Sequence, residues 1–197
     1  SDRAAPSARL GFVLIDAGGV IAATAVHDTA DGYHSFSARV PAGGYLLRVA
    51  AIDTLGRHGN VERPFDARVA ASRGVRVSDL MLAPPPRAPR DPLDPLVDRI
   101  TGAAVVAYLE MLAATRESLP DQVRVAMFTE AGGEILPPVT AELSRAVDPG
   151  ETQEAMAVAR VTLPTAKLPP GRYVARAEVL SAGVLVARVS RPFSIPE

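Results

Sequence analysis

An internal repeat constrains this chain more than any other feature. Pro41-Ala42-Gly43-Gly44-Tyr45-Leu46-Leu47-Arg48 matches Pro169-Pro170-Gly171-Arg172-Tyr173-Val174-Ala175-Arg176 at Pro, Gly, Tyr and Arg, 128 residues apart. Without a gap, the same spacing brings Arg63-Pro64-Phe65 onto Arg191-Pro192-Phe193. Seven identities held in register mark two related units in tandem. A second landmark lies upstream. Ala17-Gly18-Gly19 and Ala131-Gly132-Gly133 stand 114 residues apart, so the second copy holds about 14 extra residues between its landmarks.

Each copy reads as β-strands. Leu10, Phe12 and Leu14 alternate with Gly11, Val13 and Ile15 before Gly18-Gly19, and Val123, Val125 and Met127 do so before Gly132-Gly133. A glycine pair between two β-rich runs is a hairpin signal, because tight turns demand the positive φ that glycine reaches easily. Further strands are expected over Tyr45–Ile52 and Tyr173–Leu180, followed by turns at Gly56–Gly59 and Ser181–Gly183. Pro64 and Pro192 then belong at a strand start, a bulge or an exposed edge, since proline cannot donate to a ladder. The segment Ala103–Ala114 fits both periods. Val105, Ala107, Leu109 and Met111 suit a strand, whereas Val105, Leu109 and Leu112 suit a helix. Its β-rich context favours the strand.

Pro-x-Gly-x-Tyr has a mechanical reading. In immunoglobulin-like sandwiches, a tyrosine near the start of a late strand sends its hydroxyl back to the backbone of the preceding corner. Tyr45 and Tyr173, with Gly43 and Gly171, are assigned that role. Pro64, Phe65, Pro192 and Phe193 complete the structural landmarks of the repeat. Arg48 and Arg176, three residues past each tyrosine, fall on the opposite strand face and suit cross-strand pairing there.

The fold expected is all-β, with two immunoglobulin- or fibronectin-III-like sandwiches in tandem. The first spans residues 1–82 and the second 96–197, with a proline-rich connection over 83–95. Pro84–Pro95 holds six prolines in 12 residues, so the connection is extended and semi-rigid. Val75, Val77, Leu80 and Leu82 mark one more strand, which suits either domain. A first-copy counterpart of Ala103–Ala114 would fall before residue 1. The first sandwich is therefore expected to lack its first strand, and the chain reads as part of a longer protein.

Composition closes off several functions. A net charge of −1 and a pI near 6.3 leave no basic footprint for nucleic acid. No apolar run approaches the roughly 18 residues of a spanning helix. Without cysteine there is no disulfide scaffold, thiol nucleophile or Cys-ligated metal. Lys167 is the only lysine among 21 basic residues, which fits codon bias in a GC-rich bacterial genome.

No nucleophile elbow, phosphate-binding glycine loop or His-Glu-x-x-His motif occurs. His27, Asp28 and His34 carry zinc-compatible chemistry, but their spacing around a turn reads as solvated loop, and His58 reads as surface. The pairs Asp28/Asp31 and Asp91/Asp94 sit in turn or proline-rich segments. They lack the apolar pocket that acid–base chemistry requires. No catalysis, cofactor or metal is expected.

Arg76-Val77-Ser78-Asp79-Leu80-Met81-Leu82-Ala83-Pro84-Pro85 resembles the linker region of bacterial von Willebrand factor A-related proteins. Val106-Ala107-Tyr108-Leu109-Glu110 and the stretch from Leu168 through Phe193 are similar to their C-terminal tails, so the resemblance covers most of the chain. It implies a non-catalytic C-terminal module of an exported bacterial protein, extracytoplasmic in location (secreted, cell-surface or periplasmic). The family's metal-dependent adhesion site lies in an A domain that this chain does not contain. With no Asp-x-Ser-x-Ser here, no metal ligand carries over. The function expected is a spacer or protein-binding unit, with protein partners and homo-oligomers through edge strands. Two alternatives differ in class: a self-assembling filament subunit using strand complementation, and a carbohydrate-binding module. The second sits poorly with zero Trp and four Tyr, two of them at corners.

Overall fold

The computed structural model describes residues 8–29, 36, 38–69, 71–86, 88, 93, 95, 99–147 and 154–197. The protein is all-β, with no helix among these residues and so none long and apolar enough to cross a membrane. The chain divides into two compact units, Ser1–Val69 and Ala70–Glu197.

The first unit builds one antiparallel sheet from β1 (Ala8–Asp16), β2 (Ile21–Thr29), β3 (Gly44–Asp53) and β4 (His58–Asp66), in the order β2-β1-β3-β4. Its two hairpins share one device. Asp16 Oδ1 accepts from the amides of Gly18 and Val20, both at 2.9 Å. Asp53 Oδ1 does the same for Leu55 and Arg57, also at 2.9 Å. Each carboxylate thus satisfies turn amides that the ladder cannot reach. Gly19 and Gly56 follow at φ of 80° and 76°, where a side chain would be strained.

The second unit repeats that sheet. Strands β9 (Gln122–Thr129), β10 (Glu134–Thr140), β13 (Gly171–Ser181) and β14 (Val184–Ile195) take the order β10-β9-β13-β14. Tyr45 faces Phe65 across β3 and β4, as Tyr173 faces Phe193 across β13 and β14. Val49 opposite Val61 likewise recurs as Ala177 opposite Val189. The repeat is therefore a repeat of register as well as of residues.

What the second unit adds is a second sheet. It comprises β5 (Ala71–Ser72), β6 (Val75–Val77), β7 (Met81–Ala83), β8 (Ala104–Ala113), β11 (Glu142–Val147) and β12 (Ala155–Pro164), ordered β11-β12-β8-β6-β5 with β7 also on β8. Between its Gly132-Gly133 turn and Pro169 the second copy holds β11 and β12. Ala104–Ala113 is a strand, paired along its whole length with β12. On its other side β6 and β7 follow one another, joined where the Ser78 amide donates to Glu110 O and the Glu110 amide to Ser78 Oγ, both at 2.9 Å. Residues 71–83 thus belong to the second unit, and the boundary falls after Val69 instead of at 82/83.

The two sheets of this unit enclose one core. Val105, Ala107, Leu109 and Met111 of β8 and Ala157 and Ala159 of β12 share it with Val123, Val125 and Met127 of β9 and Ala175, Ala177 and Val179 of β13. Every second residue points inward, as the pleat requires, and each Leu or Met so buried contributes about 1.5–3 kcal/mol. Among the described residues of the first unit only Phe12, Leu14 and Tyr45 are buried, with Phe36, Val40 and Ala67 packed at the margin. Its described residues form one sheet, not the two of a complete sandwich.

Candidate interaction surface

The tyrosines lock the corner before each long strand. Tyr45 donates its hydroxyl to Pro41 O at 2.7 Å, and Tyr173 to Pro169 O at 2.6 Å. A Cβ at Gly43 would meet the tyrosine at an ordinary 3.7 Å, so space does not force that glycine, whereas Gly171 has a φ of 159° that a side chain would strain. Pro64 and Pro192 stand on the edge strands β4 and β14, opposite Leu46 and Val174. Those edges can spare a donor.

The two phenylalanines diverge. Phe193 stacks on Tyr173 with ring centroids 5.5 Å apart and is 5% exposed, in a core that includes Ile100 and Leu163. Phe65 occupies the same register position but is 47% exposed, and Val61 on the same face is 45% exposed. The second sheet supplies the difference, because β8 and β12 cover in the second unit what no described strand covers in the first. Beside Tyr45 and Phe65 lies an open groove of about 520 Å³, bordered also by Pro64, Asp66 and Arg68.

Several charged groups of this sheet form ion pairs. Arg9 donates to Asp28 at 2.8 Å, Arg48 to Glu62 at 2.7 Å and Arg68 to Asp66 at 2.8 Å. The Arg9 guanidinium holds the Asp28 carboxyl below its ordinary range, and Arg68 does so for Asp66. For Asp53 the hydrogen bond from Arg57 dominates, over a smaller opposing effect of burial, with the turn amides adding to it. Arg48 lies directly across from Glu62. Arg176, its counterpart, lies over the Phe128 ring at 4.3 Å.

The histidines do not converge. His27 packs edge-on against Phe36 on β2, and His58 opens β4, the strand at the opposite edge of the sheet. Four strands spaced about 4.8 Å apart put such positions beyond shared ligation. His34, Asp31, Asp91 and Asp94 lie outside the described residues. Among the described residues no group of three His, Cys, Asp or Glu is placed to hold a metal, and no buried side-chain polar atom lacks a partner. Thr165, the one buried polar residue there, donates to Gly102 O at 2.7 Å and ties a corner of the second unit.

Sequence reasoning passed over one group. Val20, just before β2, and Ile21 and Val26 on it are 63%, 61% and 63% exposed. The signal was available, since Ile21 to Val26 holds no charge and no proline. No model of a known family and no curated protein matches the chain.

Proposed function

We propose that this chain is a non-catalytic interaction module, two immunoglobulin- or fibronectin-III-like units in tandem, serving as spacer and protein-binding unit of an exported bacterial protein. Such a role agrees with its resemblance to the C-terminal region of von Willebrand factor A-related proteins. One observation carries the reading. The same sheet occurs twice in one register, buried beneath a second sheet in one unit, while in the other, among the described residues, Phe12, Leu14 and Tyr45 are buried and Phe65 and Val61 on the same face stay 47% and 45% exposed. Apolar surface of that kind is where soluble proteins meet partners.

A hydrophobic dye tests this reading on the intact chain. The folded protein is expected to enhance the fluorescence of an anilinonaphthalene probe, and Phe65→Ser with Val61→Ser to lower it at least about twofold, as loss of an exposed patch requires. A folded chain that binds no dye, or binds it unchanged after both substitutions, refutes an open face on the first unit.

A further inference from the structure

A sheet edge presents a row of unpaired N–H and C=O groups, and proteins that stay single-chain guard it with proline, lysine, bulges or a covering segment. The two copies of the repeat treat their equivalent edges differently. In the second unit, β10 carries Pro137-Pro138 and breaks register twice against β9. Two donors are missing and the strand is bent away from flat pairing. The far edges, β4 and β14, carry Pro64 and Pro192.

β2 carries neither proline nor lysine. It pairs with β1 from Ala8↔Thr29 to Ile15↔Ile21 with one irregularity at the turn end, and no described strand pairs on its outer side. Ile21-Ala22-Ala23-Thr24-Ala25-Val26 is a six-residue run without charge, proline, glycine or lysine. Ile21 and Val26, at the two ends of the run, are among the most exposed apolar side chains of the described residues. An uncharged run on an edge that no described strand pairs makes a pairing template.

The run also fits itself. Antiparallel strands oppose residues whose backbone groups point the same way, so a two-fold axis must pass through a residue. Centred on Thr24, the axis sets Ala22 against Val26 and Ala23 against Ala25. Centred on Ala23, it sets Ala22 against Thr24. Asp28 then meets Val20 or Gly18, never its own copy, and remains paired with Arg9 of its own chain. An isologous interface needs this self-complementarity, without like charges in opposition. A foreign strand would gain nothing that a second copy does not already offer.

We infer that β2 is a self-association edge: two copies of this chain join β2 to β2 antiparallel about a two-fold axis, merging their first-unit sheets into one of eight strands. This inference does not depend on the interaction-module reading, since it concerns the edge and not the face around Phe65.

Sedimentation equilibrium and light scattering on the full chain test it. A reversible, concentration-dependent dimer is expected. Val26→Lys is expected to weaken it at least about tenfold, because an edge lysine opposes strand pairing, whereas Asn60→Lys on the opposite edge strand, an exposed position of β4, leaves it unchanged. If Val26→Lys fails to fold, Thr24→Lys serves in its place. The unaltered protein gives an independent readout, because amide exchange across Ala22–Asp28 should slow with rising concentration while that of β4 does not. A strict monomer at all concentrations, a dimer indifferent to Val26→Lys, loss of dimer with Asn60→Lys, or growth into open polymers each overturns the inference.

Discussion

The hydroxyl of Tyr173 lies 2.6 Å from Pro169 O while its ring is buried against Phe193. One group therefore serves the core and the corner together. Removing the oxygen alone leaves the ring in place and withdraws a single partner from the Pro169 carbonyl. Tyr173→Phe is expected to cost about 1 kcal/mol, the net worth of one hydrogen bond in a folded protein. The readout is the midpoint of urea unfolding, and an unchanged midpoint would show that the corner bond contributes nothing. The Asp16 and Asp53 turns work on the same principle with a carboxylate as acceptor. There Thr129 substitutes in the second copy, its Oγ1 accepting from the Gly133 amide at 3.0 Å. Aspartate satisfies two amides and threonine one, so the copies differ in chemistry at a position where the turn is the same.

At the level of strands, identical residues in identical register carry unequal weight. Phe193→Ala empties a position enclosed by two sheets and is expected to cost about 3–5 kcal/mol. Phe65→Ala, on a half-exposed ring with one sheet behind it, is expected to cost about 1 kcal/mol or less, near the range of surface substitutions. Chemical denaturation of the two variants side by side reads this directly, and equal losses would mean that both sheets are covered alike. The strands themselves were legible because glycine pairs and period-2 alternation are local signals. Ala104–Ala113 was ambiguous because alanine and leucine populate both periods, and only its pairing with β12 decides it. The placement of Val75–Ala83 was illegible for a different reason. Its partner, β8, lies across the proline-rich segment, and no local pattern states which of two flanking sheets a strand will join. The exposure of Phe65 was hidden for the same cause. The repeat makes Phe65 and Phe193 equivalent in sequence, and the covering sheet that separates them is built from residues outside the repeat.

The whole molecule then consists of two units with very different reserves. The second unit's core draws large side chains from both of its sheets, including Leu109, Met111, Met127 and Leu163, all with essentially no exposure. The first unit buries Phe12, Leu14 and Tyr45. Stability of a domain is a small difference between burial and chain entropy, so a sheet with one covered margin must yield first. Unfolding followed by amide resonances of each unit should show two transitions, with β1–β4 lost at lower urea than β8–β14. Met111→Ala is expected to lower the second transition by about 2–5 kcal/mol and to leave the first where it was, since the two cores share no residue. A single transition seen at the same midpoint by both sets of resonances would show the units to be one cooperative block. Because a partner that binds only the folded state stabilises it by mass action, the first transition should also move to higher urea as protein concentration rises, while the second stays fixed. That asymmetry follows only if the open unit is the one that associates, and a concentration-independent first transition would count against any folded-state partner of its own kind.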